Sequence, residues 1–264
     1  MKLLTLNCHS WQEENQVEKI KYLASVIKEK QYDVVTLQEV SQSIDSNSVN
    51  SIIKEDNFAM LLIKELNKLD EYKYNFIWDY SHIGYDIYEE GLAILTKHEI
   101  KESKSFYISQ SNDKSNYRSR NIVSITIEMN DELIDFYSCH TGWWNDDIEP
   151  FKYQADKLLE NISNERLSFI MGDFNNNALI RSEGYDYLTS NGLIDTYCNA
   201  KIKDSGITVK GEIAGWEAQS EDKRLDLILT NKDIEVKKSN VIFNDINKDI
   251  ISDHYGVEVF IEEK

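Results

Sequence analysis

Short apolar runs separated by polar breaks organise this chain. Lys2–Asn7, reading Lys-Leu-Leu-Thr-Leu-Asn, predicts a buried strand that starts at once. Over residues 16–28, Val17, Ile20, Ala24 and Ile27 recur at helical spacing with charged residues between them, which predicts an amphipathic helix. Residues 33–39 then form a second strand, rich in β-branched side chains and ending in polar ones. Strand, helix and strand in quick succession make a βαβ-type opening. The polar stretch 41–50 reads as a loop overhanging the strand ends, and 57–69 as a helix through Phe58, Leu61, Leu62, Leu66 and Leu69.

Strand patterns follow at 74–78, 91–96, 101–108, 121–128 and 133–140. Pro150 suits the first turn of a helix that runs to about residue 161. Further strands are expected at 167–171, 225–230, 236–243 and 256–261. So many strands between so few helices do not fit a simple alternating sheet. They predict an α/β protein, a four-layer α/β/β/α sandwich of two stacked mixed β-sheets flanked by helices. No Pro/Gly/Ser-rich linker or repeat divides the chain, so one domain over 1–264 is expected.

Composition narrows the chemistry. With 29 Lys and Arg against 47 Asp and Glu, the net charge is −18, unfavourable for gripping a phosphate backbone. Cys8, Cys139 and Cys198 are odd in number and lack metal-ligand spacing, which argues against disulfides or a zinc site. The N-terminus lacks a signal-peptide core, and no window is long and apolar enough to span a membrane. The expectation is a cytoplasmic protein whose mature chain starts at this first strand. The 15 Tyr and 5 Trp exceed what a scaffold requires, so some are expected to line a binding surface.

Candidate chemistry clusters where strands end. Asn7 and Glu39 sit where apolar runs give way to polar sequence, the place where α/β folds collect ligands. A hard cation such as Mg²⁺ takes oxygen donors, so Glu39 reads as the anchoring ligand and Asn7 as a carbonyl donor or a partner to phosphate. Leu167-Ser-Phe-Ile-Met171 ends in Gly172-Asp173-Phe174-Asn175, where Gly172 allows a tight turn and leaves room for substrate. Asp173 would orient or deprotonate water, and Asn175 would hold a phosphoryl oxygen or the leaving group. A plain Asp/Asn turn explains the same residues without chemistry.

His140 ends a strand and would donate to charge developing on phosphorus, with Cys139 turned to the packed side. Arg224 and Asp226 should share a face, and Asp226 would orient His254 from Ser252-Asp253-His254. Asp253 would complete the metal site. Arg118 and Arg120 also share a side, and one of them could clamp a phosphate. No partner is evident for His9, His82 or His98.

In this order and approximate spacing, Asn7, Glu39, His140, Asp173, Asn175, Asp226, Asp253 and His254 resemble the endonuclease/exonuclease/phosphatase superfamily. The resemblance implies the two-sheet sandwich, a Mg²⁺ or Mn²⁺ requirement and phosphoester hydrolysis. It also implies Glu39 as main ligand with Asn7 nearby, Asp226 as partner of His254, and Asp253 beside the metal. DNA-repair members commonly carry an acidic residue where this chain has His9 and a tyrosine where it has His140. The segments at 1–15 and 140–154 are similar to the bacterial maltose 6'-phosphate phosphatase group.

That likeness gives the tryptophans a role. Trp143, Trp144 and Trp216, with Trp11, would form an aromatic wall for a sugar ring, and Asn145 or Asp146 would bind hydroxyls. The expected function is Mg²⁺-dependent hydrolysis of a sugar phosphate, a small-molecule partner rather than nucleic acid or membrane. Rival readings are a metal-dependent nuclease, a sphingomyelinase-like phosphodiesterase and a non-catalytic binding module.

Overall fold

The computed structural model describes residues 1–69, 73–217 and 219–262. Among them the chain forms, in order, β1 (Lys2–Asn7), α1 (Gln16–Lys30), β2 (Val34–Ser43), α2 (Phe58–Leu69), β3 (Asn75–Gly84) and β4 (Tyr88–Thr96). Then come β5 (Ile100–Tyr107), β6 (Asn121–Met129), β7 (Glu132–His140), α3 (Phe151–Glu160) and β8 (Leu167–Asp173). Short elements follow, α4 (Gly184–Ser190), β9 (Ile194–Asp195), α5 (Thr196–Asn199) and β10 (Ala200–Lys203). The last strands are β11 (Asp226–Thr230), β12 (Val236–Ile242) and β13 (Gly256–Ile261).

One sheet runs β10-β12-β13-β1-β2-β4-β3 and the other β5-β6-β7-β8-β11-β9. Both are mixed: β1 is parallel to β2, β10 to β12 and β7 to β8, while the remaining pairs are antiparallel. The expected four-layer sandwich is therefore the fold. Helices α1 and α2 cover the outer face of the first sheet, and α3 and α4 that of the second. No helix among the described residues is long and apolar enough to cross a membrane.

The two-residue period of each strand decides what meets between the sheets. Leu3, Val34, Phe136, Phe169 and Met171 point into that middle layer, while Leu4, Leu6, Cys139 and Ile170 point to the helical layers. Phe136 and Phe169 stack with centroids 5.3 Å apart, a pairing worth about 0.5–1.5 kcal/mol beyond burial. Further along the same strands the inward positions turn polar. Gln38 accepts from Thr5 Oγ1 at 3.3 Å and donates to Ser138 Oγ at 3.1 Å, bridging the sheets. One step beyond stand Asn7, His140 and Asp173 at the end of the sandwich.

Several boundaries differ from the sequence expectation. β2 does not stop at Glu39 but continues to Ser43, through a register shift between Leu37 and Val40. Gln38, Ser41 and Gln42 are buried and hydrogen-bonded, so polarity there marks an internal network and not a loop. β3 likewise extends to Gly84. Pro150 precedes the first residue of α3 instead of lying within its first turn. α4, α5, β9 and β10 carry too little apolar periodicity to have been expected.

Candidate active site

Three strand ends build the floor of a pocket of about 470 Å³. Asn7, fully buried at the end of β1, donates through Nδ2 to Glu39 Oε1 at 2.8 Å and to Asp173 Oδ2 at 3.1 Å. Its Oδ1 accepts the His9 backbone N–H at 3.2 Å. Asn7 was expected as a carbonyl donor to an ion or a partner to phosphate; here its amide nitrogen faces both carboxylates and holds them together. Glu39 reaches the floor because the irregularity in β2 gives it φ 52°, which sends two successive side chains, Gln38 and Glu39, inward.

Asp173, 1% exposed, lies 3.7 Å from both His140 Nε2 and His254 Nε2. Its Oδ1 accepts the Asn175 backbone N–H at 2.8 Å, the turn expected of such a pair. Asp226 Oδ2 lies 2.9 Å from His254 Nδ1, so that dyad forms as anticipated. Arg224 does not share it. Its guanidinium pairs bidentately with Asp195 at 2.7 and 2.9 Å and lies over the Tyr197 ring, so it braces the loop outside the pocket.

Gly172 has φ 150°, and a Cβ there would fall 1.9 Å from the Cys139 carbonyl oxygen. The missing side chain makes room for β7, not for substrate. That close approach brings His140 and Asp173 into register.

Asn175 lines the pocket and is fixed there by neighbours: Nδ2 donates to the Thr141 carbonyl at 3.1 Å, and Oδ1 accepts the Trp216 indole N–H at 3.1 Å. Trp216, 8% exposed, is thus a prop for Asn175 and not a sugar platform. Trp144 packs on Phe151 and Tyr187 under α3, and Trp11 donates to the Ser41 carbonyl within the helical layer. Of the expected wall only Trp143 lines the pocket, its ring seated against Gly215, where φ is 79° and a Cβ would meet the ring at 2.6 Å. Tyr85 and Tyr117, both largely exposed, join it at the mouth. They lie in turns with no strand or helix pattern to single them out.

Arg118 and Arg120 both line the pocket, as expected from their shared side. Arg118 Nε donates to Asp146 Oδ2 at 2.8 Å. The three histidines without evident partners all have one. His9 Nδ1 meets Glu13 at 2.8 Å, His98 Nε2 meets Asp33 at 3.0 Å, and His82 stands between Glu90 and Arg120. Cross-strand pairing of β3 with β4 creates the His82–Glu90 contact, which linear spacing does not reveal.

The electrostatics divide the histidines. Burial, reinforced by Arg120, holds His140 well below its usual value, so it is neutral. Burial also opposes charge on His254, but Asp226 and Asp173 outweigh it and hold the imidazolium well above its usual range. Burial first, then Glu90 and Asp253, push the Glu39 carboxyl up to about 8. A cation between these acids would relieve that repulsion.

Ligand atoms of Glu39, His140 and Asp173 lie within 4.8 Å of one another, and the two carboxylates among them offer the oxygen donors that fit a divalent ion. Asp253 also lines the pocket, but its carboxylate groups with His9 and Glu13, and Lys19 bonds Glu13 at 2.6 Å.

A family model described as the Endonuclease/Exonuclease/phosphatase family matches residues 4–254. Among solved structures, an endonuclease/exonuclease/phosphatase family protein from Leptotrichia buccalis is similar over 100% of both chains, at 44% identity and TM-score 0.94. A mannosyl-6-phosphatase from Bacteroides thetaiotaomicron matches over 100% of both chains at 16% identity and TM-score 0.72. D. rerio TDP2 complexed with single strand DNA product matches at 14% identity and TM-score 0.67, over 100% of this chain and 99% of that one. The latter two likenesses concern the fold alone. No curated protein matches the chain.

Proposed function

The chain belongs to the endonuclease/exonuclease/phosphatase family, and on that premise we propose that it is a divalent-metal-dependent phosphomonoesterase that hydrolyses a sugar phosphate, with maltose 6'-phosphate the first substrate to try. One observation carries this reading. Asn7, Glu39, His140, Asp173 and the Asp226–His254 dyad, scattered over the whole length of the chain, converge at one pocket floor.

In the proposed reaction Glu39 and Asp173 would hold Mg²⁺ or Mn²⁺, with Asn7 keeping their carboxylates together and Asp253 alongside. The ion would neutralise charge on the phosphoryl oxygens. Asp173 orients the attacking water from its position between the two imidazoles. His254, kept charged by Asp226, donates to a phosphoryl oxygen, and neutral His140 donates through Nε2 from the other side. Asn175, fixed by Thr141 and Trp216, borders the same space.

Trp143, Tyr85 and Tyr117 at the mouth favour a sugar as the leaving group, since ring faces stack on aromatic faces. A neighbour of the same fold is a mannosyl-6-phosphatase, which agrees with a phosphorylated sugar. A nuclease is the second reading, because D. rerio TDP2 shares the fold and binds a DNA product. The charge of −18 weighs against it. Cys8, Cys139 and Cys198 are free thiols, in keeping with the proposed cytoplasmic setting.

The test is release of phosphate, with Mg²⁺, from maltose 6'-phosphate and glucose 6-phosphate, run beside cleavage of single-stranded DNA and sphingomyelin. Turnover confined to the sugar phosphates supports the proposal. DNA cleavage at a comparable rate overturns it.

A further inference from the structure

The half of the pocket away from His254 holds charged groups that the proposed reaction leaves unused. β4 pairs with β2 so that Glu90 stands opposite Ser41, close to Glu39, and β3 places His82 directly opposite Glu90. β6 pairs with β7 from Ile122 opposite Cys139, which brings Arg120 beside the end of His140's strand.

Arg120 is 5% exposed. Its Nη1 donates to the Tyr117 carbonyl at 2.7 Å and faces the Ser119 carbonyl and His82 Nδ1, each at 3.3 Å. Its Nε is buried without a hydrogen-bond partner. Among the described residues no carboxylate lies within ion-pairing distance of this guanidinium. A buried cation with an unused donor edge in a pocket wall is costly unless an anion arrives to meet it. Arg118 differs: Asp146 already balances its charge.

His82 explains why Glu90 does not quench Arg120. Its Nε2 stands 3.4 Å from Glu90 Oε1, while Nδ1 faces the Ser119 carbonyl at 3.2 Å and Arg120 Nη1 at 3.3 Å, so the ring is interposed between the carboxylate and the guanidinium. Glu90 thereby fixes the ring, and the ring and two carbonyls hold one prong of the guanidinium.

Resting on the phosphomonoesterase reading, we propose that Arg120, and not Arg118, is the side chain that grips the substrate's phosphate, with His82 and Glu90 as positioning residues. The phosphate would thus be held between Arg120 on one flank and His254 on the other, on either side of Glu39 and Asp173.

Calorimetric titration of inorganic phosphate into the Mg²⁺-loaded protein tests this. Arg120→Met should weaken phosphate about 10- to 100-fold, the worth of a charge-assisted hydrogen bond or two, and Arg118→Met less than about threefold. If the methionine variant folds poorly by thermal melt, Arg120→Lys keeps the charge but loses the forked donors and should cost about 3- to 10-fold. At saturating Mg²⁺, where the influence of Glu90 on Glu39 no longer limits loading, Glu90→Gln should raise KM for the sugar phosphate several-fold with kcat little changed, a split that loss of fold would not give.

Wild-type phosphate binding that survives in both Arg120 variants overturns the assignment of Arg120 alone. A wild-type protein that neither binds phosphate nor releases it from a sugar phosphate overturns the phosphomonoesterase reading, and this proposal with it.

Discussion

Metal binding by this protein should depend steeply on pH, because of Glu39. Burial, Glu90 and Asp253 raise its carboxyl to about 8. At pH 7 such a group is roughly nine-tenths protonated, so an ion must displace the proton before it can bind. Close to one proton should leave per ion at pH 7. Affinity for Mg²⁺ should then weaken about tenfold for each pH unit below 8.

The same shift acts on folding with a definite sign. A folded-state value above the ordinary 4.5 means that the stabilisation Glu39 supplies is complete below pH 4.5. It is lost as pH rises towards 8, by at most about 1.4 kcal/mol per unit. Stability of the metal-free protein should fall over that range, and Mg²⁺ should restore it. Titration calorimetry with Mg²⁺ at pH 7, in buffers of different ionisation enthalpy, counts the protons. Glu39→Gln should abolish the release and most of the affinity. If wild type releases no proton, or Glu39→Gln releases as many, the reasoning fails.

Other consequences follow from separate parts of the molecule. Asp195→Ala strands the buried Arg224 guanidinium and should cost about 3–5 kcal/mol in urea unfolding; a loss below about 1 kcal/mol would contradict the bracing role. Burial opposes ionisation of Asp33, but His98, the Lys2 backbone N–H and Lys97 hold its carboxyl well below 3.8. Its stabilisation is therefore present above pH 3.8 and lost as pH falls further, and Asp33→Asn should flatten the acid limb of the urea midpoint against pH. Trp143→Ala should raise KM for a disaccharide phosphate about 3- to 10-fold relative to a monosaccharide phosphate; an equal rise for both would remove the stacking role.

Much of this protein was legible in its sequence because it depends on local order along the chain. Two-residue and helical periodicities announced β1, β7, β8, β13, α1 and α2, since a half-buried strand or helix must repeat its apolar face. The same alternation placed Cys139 in the packed layer and His140 on the inner side. Asn7, His140 and Asp173, at the ends of β1, β7 and β8, could be named as candidates from type and position. Strand ends are where side chains leave the packed layer while their backbone stays fixed.

Tertiary structure alone decided the partners. The inward turn of Glu39 depends on a bulge that no local pattern marks, because the flanking polar residues are buried in a network between strands. Gly172 serves the approach of β7, a contact between segments more than thirty residues apart. Trp143 reached the pocket while Trp144, its neighbour, went under α3, because consecutive residues in a loop obey no fixed period. The Glu90–His82–Arg120 cluster likewise draws on two neighbouring strands of one sheet and the residue just before β6 of the other. Periodicity says which face a residue takes; only the register and stacking of the sheets say what it meets there.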